Sequence, residues 1–138
     1  MSEHVREVET GDGWAVGSID GTGEGFGFRK IRKALGVKEM GINAIVLPPR
    51  FDATTHSHER QEEVYIVLEG ELEMTFPGDE VRFLGPGGIA RVDAQTVRRL
   101  RNVSDEPTTY VCVGAEGGYV GRDGHWHGEN AGPIPIED

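Results

Sequence analysis

Hydrophobic and polar residues alternate along the middle of the chain, as they do in short β-strands. Leu72, Met74 and Phe76 are separated by single polar residues, which predicts a strand with one buried and one solvated face. Between Glu63 and Glu69 apolar side chains fall on both faces of the predicted strand. Both faces of that strand therefore need cover, from a second sheet and from a partner subunit or the chain's own helix.

The same pattern predicts a series of short strands separated by turns rich in Gly, Pro and Asp. The predicted strands are Ile42–Leu47, Glu63–Glu69, Leu72–Phe76, Glu80–Leu84, Gly88–Val92, Val97–Asn102 and Thr108–Ala115. The stretch from Pro48 to His58 is polar and is predicted as a connection. This spacing indicates an all-β domain, built as a double-sheet barrel or sandwich.

The two ends of the chain differ from this middle part. Residues 1–40 are rich in glycine and predict an arm, with one short helix over Phe28–Leu35 that ends at Gly36. Residues 41–116 form the predicted barrel. Residues 117–138 are rich in Gly and Pro and predict an extended C-terminal tail.

Composition narrows the classes of partner. The 138 residues include 14 Lys+Arg and 24 Asp+Glu, which gives a formal net charge of −10. A chain without clustered basic residues binds nucleic acid or an anionic membrane poorly, because few positive charges meet the phosphates. The single cysteine, Cys112, cannot form a disulfide within the chain, and the first residues lack the apolar core of a secretory signal. We therefore expect a cytoplasmic protein that binds neither nucleic acid nor membrane.

The chemically informative stretch is His56-Ser57-His58, followed by Glu63 at the start of a predicted strand. Two histidines separated by one residue of extended chain point to the same face, with Cα atoms about 7 Å apart. Glu63 shares the strand face of Tyr65. If that face lines the interior, two imidazole nitrogens and one carboxylate converge on one point. Such a set is typical of a 2-His-1-carboxylate site for Fe, Mn, Zn, Ni or Co, with coordination positions left open.

At these residues the sequence resembles the cupin superfamily, and in particular its small single-domain bacterial members. His56, His58, Glu63 and Gly70 match the first cupin motif, with one, four and six residues between successive anchors. Asn102 matches the last residue of the second motif. The resemblance implies a double-stranded β-helix, or jelly-roll barrel, a divalent metal ion and a homodimer. It also implies activities such as dioxygenase, isomerase, decarboxylase or epimerase.

The sequence departs from the second cupin motif at Arg98, which stands where the family has a fourth ligand histidine. A guanidinium stays charged and does not bind metals. Three arrangements are open: a three-ligand metal with Arg98 orienting an anionic substrate, a metal-free cavity in which Glu63 pairs with Arg98, or a further ligand from His125 or His127. Strand alternation places Arg98 with Leu100, so we expect Arg98 to face inward.

These observations lead to one functional hypothesis and one alternative. The hypothesis is a metal-binding barrel, with His56, His58 and Glu63 as ligands and a site open to a small, anionic molecule. Arg98, Tyr65 and Gln61 are the candidate substrate-binding residues, and no catalytic acid or base is assigned. The alternative is a non-catalytic module that binds a small ligand or anion without metal.

Overall fold

A computed structural model of the protein describes residues 3–127 and 132–133. Within these residues the chain forms thirteen strands, one five-residue helix and one 3₁₀ turn at Asp20–Thr22. The elements are β1 Glu9–Gly11, β2 Trp14–Val16, β3 Gly27–Arg29, α1 Ile31–Leu35, β4 Gly41–Leu47, β5 Phe51–His58, β6 Glu62–Glu69, β7 Leu72–Phe76, β8 Glu80–Leu84, β9 Ile89–Val92, β10 Arg98–Asn102, β11 Thr108–Ala115, β12 Gly124–Trp126 and β13 Gly132–Pro133. The predicted all-β class is confirmed.

The strands form two antiparallel sheets and one separate hairpin. The first sheet has the order β13-β12-β5-β10-β7-β8, and the second has the order β3-β4-β11-β6-β9. Neighbours in the two sheets are mostly distant along the chain, which is the crossing pattern of a jelly roll. The hairpin is formed by β1 and β2, near the N-terminus.

The core lies between the two sheets. Strands β4, β6, β9 and β11 contribute one side of it, and β7 and β10 contribute the other. Its buried members are Ile45, Leu47, Tyr65, Val67, Leu72, Met74, Val92, Leu100 and Tyr110. The alternation within β6 therefore turns Glu63, Tyr65 and Val67 inward, as the sequence pattern predicts if that face lines the interior.

Strand β5 is the main departure from the prediction, which took residues 48–58 for a connection. Its backbone pairs with β10 on one side and with β12 on the other. Backbone hydrogen bonds on both edges stabilise the strand although few of its side chains are apolar. The two histidines of β5 are consequently part of a sheet and not of a mobile loop.

The predicted helix over Phe28–Leu35 is too long, because only Ile31–Leu35 is helical. Phe28 instead belongs to β3, where it pairs with Ile45 of β4 and stays 63% exposed. Gly36 does end the helix: it adopts φ +71° and donates its backbone N–H to the carbonyl of Arg32. Pairing with the edge of β4 thus overrides the helical spacing of the apolar residues.

The C-terminal tail is bound to the barrel through β12, which pairs with β5.

The outer face of β6 is only partly covered, since Val64 is 37% and Leu68 46% exposed. The homodimer, and the division of the chain at residues 40 and 116, stay predictions. In the part of the chain that the structure describes, no helix is long and apolar enough to span a membrane.

Gly70 and Asn102, two anchors of the sequence resemblance, have clear structural roles. Gly70 has φ +81°, and a Cβ atom there would lie 2.5 Å from the carbonyl oxygen of Pro107 and from Oγ1 of Thr108. Asn102 is buried and donates to the carbonyls of Pro48 and Glu106. Both residues fix turns between strands, so neither belongs to the site itself.

Candidate metal centre

Strands β5 and β6 bring three donor groups together inside the barrel. His56 and His58 alternate along β5, and Glu63 lies near the start of β6. Their candidate ligand atoms all lie within 4.8 Å of one another. The three side chains are 10–12% exposed, so they are largely shielded from solvent. The structure thus assembles the ligand group that the sequence spacing predicts.

Glu63 is the acceptor at the centre of this group. Its Oε1 accepts a hydrogen bond of 2.5 Å from the Tyr65 hydroxyl, and its Oε2 accepts one of 3.2 Å from the Cys112 thiol. Burial alone would raise the pKa of Glu63, but the neighbouring histidines and the Tyr65 hydroxyl outweigh it and hold the pKa well below its ordinary value. Glu63 is therefore an ionised carboxylate that accepts from Tyr65 on one oxygen and from Cys112 on the other.

His58 has a carboxylate near each of its ring nitrogens. Nδ1 lies 2.8 Å from Oδ1 of Asp123, while Nε2 lies 3.2 Å from Oε1 of Glu63. Nε2 is buried and has no hydrogen-bond partner among the described residues. Burial lowers the pKa of His58, but its contacts with Glu63 and Asp123 outweigh burial and raise it above the ordinary value of 6.5.

His56 lies beside His58, with its ring edge-on to the other at 5.1 Å between centroids. Its Nε2 is 3.7 Å from Oε1 of Glu63. Burial lowers the pKa of His56 below 6.5 despite that carboxylate. At neutral pH His56 is consequently a neutral imidazole, the form that binds metals.

Arg98 is completely buried behind this group, which confirms its predicted inward orientation. It is the cross-strand neighbour of His56, and its guanidinium lies 3.9 Å from Oε1 of Glu63. The guanidinium also donates to the carbonyls of Ala94 and Asp93 over 3.3 and 3.2 Å. Its Nε has no partner among the described residues. Arg98 thus places a positive charge next to Glu63 with incomplete hydrogen bonding.

The other two candidate substrate-binding residues are both buried, but only Tyr65 contacts the ligand group. Tyr65 is buried in the core, and burial followed by the charge of Glu63 raises the pKa of its hydroxyl well above the ordinary value. Gln61 is also buried, but its amide donates to Oδ1 of Asp123 over 2.6 Å, outside the ligand group. A role in substrate binding stays a prediction for both.

The second His-x-His stretch of the chain is placed away from the group. In the pairing of β12 with β5, Gly124 and Trp126 lie opposite His58 and His56, so His125 shares the other face with Ser57. His125 contacts Glu59, and His127 contacts the Ser57 hydroxyl, both over 2.8 Å. Neither belongs to the ligand group found in the described part of the chain.

Sequence reasoning misses the role of Asp123. Its Oδ2 accepts the backbone N–H groups of Arg60 and Gln61 over 2.7 and 3.0 Å, in addition to the two contacts of Oδ1. Burial would raise the pKa of Asp123, but the donors around it lower it to about 2. No spacing rule connects a tail aspartate with His58. The nearby Gly-His-Trp-His stretch is the one signal in the sequence that the tail approaches β5.

Cys112 is the second residue that gains a role from the structure. Burial raises the pKa of the Cys112 thiol well above its ordinary value, and the charge of Glu63 adds to the shift. The thiol nevertheless donates to Glu63 across the β6–β11 pair, next to Tyr65. It therefore helps to fix the orientation of the carboxylate.

Comparison with known proteins agrees with this architecture. The crystal structure of a cupin protein from Bacteroides fragilis superposes with a TM-score of 0.60 at 20% identity, over 82% of this chain and 91% of the other. A sugar phosphate isomerase from a cupin superfamily of Silicibacter pomeroyi gives 0.60 at 22% identity, over 80% and 69%. An uncharacterised Klebsiella pneumoniae protein with a double-stranded beta-helix domain gives 0.58 at 22% identity, over 66% and 76%. At such identities the likeness concerns the fold alone.

The sequence itself identifies the family. No curated protein is significantly similar to the chain. The cupin domain family matches residues 44–114, just over half of the chain. This range extends from β4 to β11 and contains His56, His58 and Glu63. The chain therefore belongs to the cupin family.

Proposed function

We propose that this cupin binds one divalent metal ion through His56, His58 and Glu63, and that the resulting centre binds a small anionic molecule such as a carboxylate. Two imidazoles and one carboxylate suit Fe, Mn, Zn or Ni and leave positions open for a ligand. The ligand atoms lie within 4.8 Å of one another, and the three side chains are only 10–12% exposed.

The observation that carries this proposal is the environment of Nε2 of His58. The ionised Asp123 accepts the Nδ1 proton of the ring, so a neutral His58 has its lone pair on Nε2. That lone pair then faces the ionised Glu63 over 3.2 Å, without a hydrogen bond between them. Two electron-rich atoms at this distance repel each other unless a positive charge lies between them or beside them. A metal ion bound by both atoms would provide this positive charge and remove the repulsion.

The charges around the group favour an anion as the further ligand. A divalent ion would be only half compensated by Glu63, and Arg98 adds another positive charge 3.9 Å from that carboxylate. Arg98 is fully enclosed, so we assign it an electrostatic role and not direct contact with a large substrate. A small anion on the open side of the group would reduce this excess of positive charge.

When bound, the ion would supply Lewis-acid or oxygen chemistry, as in isomerases or dioxygenases. The protein residues would hold its ligands in place. Tyr65 and Cys112 keep a proton at neutral pH and donate one hydrogen bond to each oxygen of Glu63. No described residue is assigned here as the acid or base of a reaction.

One observation favours a second candidate function, an anion-binding module without metal. The pKa of His58 is raised, so in the absence of an ion a protonated His58 can bridge Asp123 and Glu63. Arg98 would then be paired with Glu63 across the cavity. In that state the two buried cations balance the carboxylates of Glu63 and Asp123, so the group is neutral and a small anion would bind through hydrogen bonds and not through net charge.

Metal analysis of protein purified without tag or chelator distinguishes the two candidates. Wild type is compared with His56→Ala/His58→Ala and with the matched control His125→Ala/His127→Ala, which removes the other His-x-His pair. We expect about one equivalent of metal in wild type and in the control, and a loss of metal in the first double variant.

The opposite result would refute the metal proposal. If none of the three proteins contains an ion, even after anaerobic loading with Fe(II), Mn(II) and Zn(II), the anion-binding module is the candidate function that remains. Equal metal content in all three would place the ion elsewhere. Circular dichroism of each variant checks that the barrel is folded.

A further inference from the structure

Asp123 is saturated with hydrogen-bond donors. Oδ1 accepts from Nδ1 of His58 and from the amide of Gln61, and Oδ2 accepts from two backbone N–H groups. The side chain is 8% exposed. It comes from the tail, whose backbone also accepts from the N–H of Glu59 and pairs with β5 through β12. The tail is thus fixed directly against the loop that connects the two ligand-bearing strands.

We propose that Asp123 is the positioning residue of the metal centre, because it holds His58 in the tautomer that carries the proton on Nδ1 and the lone pair on Nε2. An ionised carboxylate can only accept, so it stabilises the ring form with a proton at Nδ1. The nitrogen that faces His56 and Glu63 is then the one free to bind an ion. The metal part of this inference rests on the proposed function, whereas the tautomer is a property of the protein alone.

The substitution Asp123→Asn tests the assignment without a large change of shape. The backbone N–H groups of Arg60 and Gln61 need an acceptor, so the amide oxygen is expected to replace Oδ2. The amide NH₂ group then faces Nδ1 of His58, which must accept, and the Gln61 amide has to turn so that its oxygen faces the NH₂ group. This reverses the tautomer and places the proton on Nε2, towards Glu63. A single-atom change thereby blocks the ligand nitrogen.

The tautomer is measured in the metal-free protein by long-range ¹H–¹⁵N correlation of the histidine rings, above the pH at which His58 titrates. The signals of His58 are identified by their absence in His58→Ala. We expect an unprotonated Nε2 in wild type and an unprotonated Nδ1 in Asp123→Asn. The control Glu116→Gln removes an exposed carboxylate that binds Arg60 in the same loop, and should leave the wild-type pattern.

Zinc affinity, measured by competition titration on the same proteins, gives the second readout. Loss of an outer partner of a ligand histidine weakens metal binding by about 10- to 100-fold, and we expect this for Asp123→Asn but not for Glu116→Gln. A proton on Nε2 in wild type, or the same tautomer in wild type and Asp123→Asn, would overturn the inference. The tautomer in the wild-type protein can overturn the inference by itself, so the test still works if Asp123→Asn does not fold. Absence of zinc binding in wild type would refute the proposed function, and the spectra would still decide the role of Asp123.

Discussion

Glu63 and Arg98 are expected to behave as one unit in the metal-free protein. Arg98 is fully buried, and its guanidinium lies 3.9 Å from the Glu63 carboxylate. At this distance and an effective dielectric constant of about 20, two unit charges attract each other by about 4 kcal/mol. The hydrogen bonds from Arg98 to two backbone carbonyls are long, so they compensate its charge poorly.

Glu63→Gln keeps the shape of the side chain but leaves Arg98 without its counter-charge. We expect the free energy of unfolding to fall by about 3 kcal/mol, as for other buried pairs that lose one partner. Arg98→Met is expected to be similarly harmful, because Glu63 then lacks a buried cation. The double variant removes both charges, so its loss should be smaller than the sum of the single losses by at least about 1.5 kcal/mol.

Urea denaturation of the four proteins at neutral pH, with a chelator present, measures this coupling. Equal dependence on urea across the set would show that the unfolded states are comparable. If the loss in the double variant equals the sum of the two single losses within about 0.5 kcal/mol, Glu63 and Arg98 are not coupled, since independent sites add in this way. In that case Arg98 would be stabilised by its carbonyl contacts and not by Glu63.

Three further predictions concern the same site and the N-terminal arm. Arg98→His should tighten zinc binding by at least about tenfold in a competition titration, because a nitrogen donor replaces a cation; unchanged affinity would mean that position 98 does not face the ion. Burial lowers the pKa of His58, but Glu63 and Asp123 raise it above 6.5, so protons should weaken zinc binding progressively as the pH falls towards 6.5. A flat pH profile would contradict the assignment of His58. Arg29 is buried with two guanidinium nitrogens lacking partners among the described residues, so Arg29→Met should leave the melting temperature unchanged or higher. A fall of more than about 2 kcal/mol in the free energy of unfolding would show that other groups form hydrogen bonds with the guanidinium.

Strand periodicity predicts the framework of this fold well, and in β6 the alternating pattern matches burial directly, with Glu63, Tyr65 and Val67 on the inner face. Thr108–Ala115 and Leu72–Phe76 have the predicted bounds. The inward orientation of Arg98 also follows from alternation, since Leu100 two residues later belongs to the core. Local pattern is informative wherever one face of a strand is apolar.

The pattern fails where a polar strand lines the cavity. Strand β5 carries polar residues on both faces and is held by backbone pairing with β10 and β12, which no local signal encodes. Glu73 shows the same limit: it is predicted on a solvated face, yet it is buried by a two-point contact with Arg101 of β10. Asp123 reaches His58 from 65 residues away, so its contact depends on tertiary structure alone.

Anomalous diffraction from crystals of the zinc-loaded protein shows whether His56, His58 and Glu63 bind the ion. We expect one strong zinc peak at bonding distance, about 2.0–2.2 Å, from Nε2 of His56, Nε2 of His58 and a carboxylate oxygen of Glu63. A peak at His125 or His127, or no peak within the barrel at full zinc loading, would contradict this assignment.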